Sequence, residues 1–303
     1  MILKELHDKN LINPPSFLLT NTTYLCVMGS ICYGVETDSS DFDVYGFAIP
    51  PKSDIFPYTE KLYGFDEINV FEQWQKHHIL DQSALGGKGR EYDFSVFNIV
   101  KYVKLCMDSN PNMLDSLFVP QNCILHSTAV SELLRDNRKL FLSKSIWAKY
   151  KGYSYSQLHK ASGKNPEAGS KRKALRDAYG MDTKFLYHVI RLLSEAEQIL
   201  LEGDLDLQEK GRREHMKAIR RGEVSEKDIR EWASNKEKQL EDLYHKSTLP
   251  LKPNKEAIKE VLLKCLEQHY GSLEKYIQQP NWSIETLRKM DSIIENCRNQ
   301  LYL

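Results

Sequence analysis

A chain of 303 residues can bury a sizeable core and divide into one to three domains, and its 41 % apolar and 28 % charged residues exclude a disordered or fibrous protein. The first twenty residues, MILKELHDKNLINPPSFLLT, carry charges and a Pro pair in place of an apolar secretion core, and no long apolar run follows, so a cytoplasmic protein without a membrane segment is expected. Net charge is zero, yet residues 135–191 hold 14 Lys and Arg against four acids, a local excess of +10 that suits either an anionic partner or a solvated helical face.

In chain order, LKELHDKNLI has the spacing of a short amphipathic helix, ended by Pro14-Pro15. TYLCVM concentrates β-branched and aromatic residues and stops at Gly29, as a buried strand does. ICYGVETDSS makes a short helix or turn, and DFDVYGFAI then alternates, with Asp41, Asp43 and Tyr45 on one face and Phe42 and Val44 on the other. Residues 50–71 are turn-rich and then strand-like. The pair His77-His78 follows, but adjacent histidines on a strand point apart and lack spaced Cys or carboxylate partners, which argues against a metal site there. GGKGR lacks the P-loop spacing and ending; it reads as a hairpin tip from which Lys88 or Arg90 could reach a ligand. EYDFSVF restores alternation, placing Glu91, Asp93 and Ser95 on one face.

The second half is helical. VFNIVKYVKLCMD has 3.6-residue periodicity, and residues 130–162 read as two helices. KNPEAGSKRKALRDAYG reads as a polar, basic connection, long enough to be functional. MDTKFLYHVIRLLSEAEQILLEG is a strong amphipathic helix with Asp182 or Thr183 at its start and Gly203 past its end, and Lys184, His188 and Arg191 share one stripe along it, suited either to a phosphate or to pairing as a buried polar face with acids of the first domain. Charged helices continue to the end, broken at LPLKP, and Arg212, Arg213, Arg220 and Arg221 form either a backbone-binding patch or a solvated face. The six cysteines are scattered without a CxxC pair and read as reduced thiols.

The acid pair carries the chemistry. Carboxylates at i and i+2 of a strand project from one face, close enough to hold one or two divalent cations, although two exposed aspartates in a hairpin would look the same. Gly29-Ser30 upstream is small and rich in backbone N–H groups, suited to phosphate oxygens.

With Gly-Ser, ten residues, then DFDV, the stretch resembles the signature of the DNA polymerase β-like nucleotidyltransferase superfamily, and GSICYGVETDSSDFDVYG is more narrowly similar to the predicted nucleotidyltransferases associated with RNA repair. NPNMLDSLF and the segment from Gly180 to Leu193 extend the likeness. The resemblance implies an α+β fold: a mixed sheet with flanking helices in a catalytic domain over residues 1–125, then a helical substrate- or nucleotide-binding domain over 126–303. It implies catalytic and metal-binding Asp41, Asp43 and a third carboxylate, for which Asp93 is the choice and Glu91 the competitor. It also implies nucleotide contacts from Gly29, Ser30, Ser40, Lys184, His188 and Arg191, two Mg2+ ions with Mn2+ as a substitute, and an NTP as substrate. The expected reaction moves NMP to a hydroxyl, with an RNA end bound through the basic 135–191 region as acceptor. Alternatives are a protein or small-molecule acceptor, or an inactive nucleotide- or RNA-binding module.

Overall fold

In the computed structural model the described residues are 1–37, 40–52, 71–162, 170–271, 289–295 and 297–298. The strand expected within residues 50–71 therefore lies largely outside them. Residues 1–265 form one compact unit. Residues 266–303 form a second, whose described parts are a helix end and a short helix at 289–295.

The apolar runs become strands β1 (Thr22–Val27), β2 (Phe42–Ala48), β3 (Gln73–Asp81), β4 (Arg90–Asn98) and β5 (Ile124–Ser127), arranged in a sheet of order β3-β4-β2-β1-β5. The acid-bearing β2 is thus central, antiparallel to β1 and parallel to β4. β3 and β5 pair antiparallel at the two edges. β1 and β2 approach so closely that a Cβ built on Gly46 would collide with the Tyr24 carbonyl oxygen, so only glycine fits there.

Alternation sorts side chains to the two faces. Leu25, Val44, Phe94 and Val96 pack with Leu3 and Leu6 of helix α1 (Ile2–Asp8) in one core. On the other face Tyr24 and Phe47 meet α2 (Ile99–Met107) and α3 (Pro111–Phe118): the Tyr24 hydroxyl donates to Ser116 O at 2.7 Å and the Phe47 ring lies 4.7 Å from Tyr102. Asn98 and Asn110 cap these helices by accepting from Val100 N and Met113 N. Burying such side chains contributes about 1.5–3 kcal/mol each, so both faces of the sheet are anchored.

The chain then continues through α4 (Ala129–Asp136), α5 (Ile146–Ser162), α6 (Ser170–Tyr179), α7 (Thr183–Glu202), α8 (Lys210–Arg220), α9 (Glu226–Lys246) and α10 (Lys255–Tyr270). α7 is the axis of this part, packed by α5, α8 and α9. Its ends are as expected: the Asp182 carboxylate accepts from Phe185 N, and Gly203 stops the helix at φ 61°. One expectation changes: the basic connection contains α6, because KALRDA is rich in good helix formers despite its polarity. The Asn-Pro segment is the helix α3, with Pro111 at its first position. The result is the α+β architecture that the resemblance implied.

Candidate active site

The site begins where β1 runs out. The chain turns sharply at Gly29, which takes φ 67°, and makes one helical turn, Gly29–Cys32. A Cβ on Gly29 would collide with the Asp43 carboxylate, so glycine is required and the Gly-Ser turn lies directly against the acid. The turn is pinned to β2 by Met28 N donating to Asp43 O at 2.7 Å, and it closes with Val35 N donating to Ser30 O at 2.9 Å. Ser40 belongs to the next bend, where its hydroxyl accepts from Thr37 N at 2.8 Å.

Asp43 and Asp93 are register partners on the neighbouring parallel strands β2 and β4. Asp41 precedes β2 by one residue and is half-buried. Burial pushes the Asp43 carboxyl up to about 6; Lys184 opposes this, while Asp93 and Asp41 add repulsion. Like charges gathered this way favour a compensating cation, so the all-oxygen set of Asp41, Asp43 and Asp93 fits a hard divalent ion such as Mg2+.

From β3 the structure brings in the histidine pair that strand alternation had set aside. The β3–β4 ladder slips between Lys76 and Ile79, setting both histidines against Asp93. His78 takes φ 57°, donates its backbone N–H to Asp93 Oδ1 at 2.7 Å and places Nδ1 2.6 Å from Glu91 Oε1. His77 Nδ1 stands 3.7 Å from Asp93 Oδ1. The Glu91 hydrogen bond raises the His78 ring above the ordinary imidazole value, with Asp93 adding to it. The expectation that the histidine pair lacks partners is thereby corrected: on a regular strand it would, but a bulge turns both residues toward β4. Arg90 lies with its guanidinium 4.6 Å over the Phe42 ring, at the mouth of the same strands.

The stripe on α7 divides along its length. Lys184 is exposed and its charge acts on Asp43; His188 is half-buried, its ring 4.2 Å from that of Tyr187. Arg191 is 4 % exposed and makes an ion pair with Asp115 at 2.5 Å while donating to the Tyr33 hydroxyl. Tyr33 in turn donates to Asp115 Oδ2 at 2.8 Å. Burial works against the Asp115 charge, and Arg191 opposes that. Arg191 therefore holds the residues that follow the Gly-Ser turn instead of presenting its cation at the surface. Tyr33 and Asp115 were within the motifs read from sequence, but nothing there joined them to Arg191.

The four arginines on and beside α8 also divide. Arg220 donates to Val35 O at 2.7 Å, the Arg213 side chain packs under Gly34, and Arg212 is buried against Asp206 O. Arg221 pairs with Glu223. Together with Gln208, which donates to Cys32 O at 3.2 Å, α8 braces the loop behind the Gly-Ser turn through Arg213 and Arg220, while Arg221 stays on the solvated face.

A polymerase β-like nucleotidyltransferase is the class in which this sheet and this acid pair are at home. The chain belongs to the RNA repair pathway DNA polymerase beta family, RlaP, whose family model matches residues 3–264. It is a nucleotidyltransferase, with an NTP as substrate, NMP transfer as its general reaction and divalent metal as the usual requirement of its family. Among solved structures, a nucleotidyltransferase-like protein from Exiguobacterium sibiricum 255-15 is similar over 89 % of this chain and 79 % of that chain, at 11 % identity and a TM-score of 0.28. No curated protein matches the chain. No helix among the described residues is long and apolar enough to cross a membrane.

Proposed function

We propose that this chain transfers NMP from an NTP to the terminal hydroxyl of an RNA, in the cytoplasm, with release of pyrophosphate. The observation that carries the reading is the pairing of Asp43 with Asp93 on adjacent parallel strands, directly against the Gly29 turn. Asp41, Asp43 and Asp93 are the residues that would hold two Mg2+ ions, or Mn2+ in their place, and such ions lower the pKa of an attacking hydroxyl and stabilise a leaving pyrophosphate.

The chain's own groups divide the remaining work. Gly29, Ser30 and Ser40 receive the triphosphate through backbone N–H groups and hydroxyls, and Lys184 offsets its charge from α7. His188 orients a phosphate or the acceptor. Arg191 acts from behind, fixing Tyr33 and so the Gly-Ser turn. Asp93 accepts the proton of the attacking hydroxyl. In this scheme residues 1–125 form the catalytic domain, residues 126–303 the helical one that completes the nucleotide site, and the basic 135–191 region receives RNA.

Incubating the chain with α-labelled NTPs, Mg2+ and total RNA tests the reading. Label is expected in RNA. Label in protein or a small molecule instead would replace the acceptor, and NTP binding without any transfer would leave a binding module.

A further inference from the structure

The slip in the β3–β4 ladder gathers a second group of donors at the sheet edge, beside the Asp41–Asp43 pair. One ring nitrogen of His78 and one carboxylate oxygen each from Glu91 and Asp93 lie within 4.8 Å of one another. Neighbouring ligands on a dication bonded at about 2.1 Å stand about 3–3.4 Å apart, so His78 Nδ1, now 2.6 Å from Glu91 Oε1, has to open slightly and the set has to draw in around one ion. The His78 side chain is 83 % exposed and able to make that shift, whereas the two carboxylates, 28 % and 24 % exposed, are held by the strand.

Charge favours the same outcome. Asp41, Asp43, Glu91 and Asp93 bring four carboxylates to one end of β2 and β4, faced by Lys184, His77 and His78. The donor set then selects the kind of cation. Mg2+ is held by oxygen ligands, while a site mixing imidazole with carboxylates suits first-row transition dications.

We propose that His78, Glu91 and Asp93 form a binding site for a first-row transition dication, adjacent to the oxygen-only site of Asp41, Asp43 and Asp93. The inference rests on the proposed function and deepens it, since the two sites share Asp93.

Mn2+ is the probe. Pulsed electron paramagnetic resonance of the full chain loaded with Mn2+, without nucleotide, is expected to show 14N coupling from a bound imidazole. His78→Asn, chosen because asparagine tolerates the positive φ at this position, is expected to abolish that coupling and weaken Mn2+ binding at the nitrogen-coupled site at least tenfold, while Mg2+ binding changes less than twofold. The double variant Asp41→Asn/Asp43→Asn keeps the nitrogen coupling. Absence of coupling in the unaltered chain, or coupling that survives His78→Asn, overturns the site even if nucleotidyl transfer is intact. Coupling that is present and lost in His78→Asn upholds it even where no transfer is detected, so the two readings fail separately.

Discussion

Glu195 is the residue whose surroundings conflict most with its charge. It is fully buried on α7, near Asp115, Arg191 and Arg212, and burial pushes its carboxyl up to about 8, with Asp115 next in importance and the two arginines opposing. A raised carboxyl pKa means that the folded chain keeps a proton which the unfolded chain releases. The stabilising effect is therefore full below the unfolded pKa of about 4.5 and is lost as pH rises toward about 8. Urea unfolding should lose stability over that window with a slope of up to about 1.4 kcal/mol per pH unit from this group. Glu195→Gln should flatten the profile by the same amount; parallel profiles for the two proteins would show that Glu195 is ionised in the folded chain.

At the scale of the element, α7 has two ends with different duties, and substitution should separate them. Arg191→Leu leaves the Asp115 carboxylate buried beside Tyr33 without its cation, and should cost about 3–5 kcal/mol in urea unfolding. Lys184→Ala, on the exposed end, should change stability by less than about 0.5 kcal/mol while raising KM for the NTP. Equal stability losses in the two variants would mean that the stripe acts as one surface. The division was not legible in the sequence, where spacing puts both residues on one face but says nothing of Asp115, which lies 76 residues away. What was legible had local causes: β1 from its β-branched run, α7 from its periodicity, Asp182 and Gly203 from capping chemistry. α6 was missed because its helix-forming residues are also its basic ones. The placement of His78 against Glu91 and Asp93 was missed because alternation assumes a regular pleat, and the bulge depends on how β3 meets β4.

At the scale of the whole molecule, the polar cluster of Tyr33, Asp115 and Arg191 ties the turn that abuts Asp43 to the helical part, and α8 secures the loop that follows. Of the arginines read from sequence as either a backbone-binding patch or a solvated face, Arg213 and Arg220 are used in that bracing and Arg212 is buried against Asp206 O, and within residues 135–191, proposed to receive RNA, Arg135 and Arg191 are themselves buried. If RNA is held there, the logarithm of its affinity should fall linearly with the logarithm of salt concentration, by about 0.7 per phosphate neutralised on a single strand. A salt-independent affinity would exclude that region as the RNA site.

Asp43, against the Gly29 turn, and Asp93, its register partner on β4, are proposed as the reacting centre. Transfer of α-labelled NMP with Mg2+ by the unaltered chain and by Asp43→Asn, which keeps the shape and removes the charge, decides this. An unchanged fold by circular dichroism and transfer reduced by at least about 100-fold are expected; transfer within a few-fold of the unaltered chain would rule Asp43 out of the reaction.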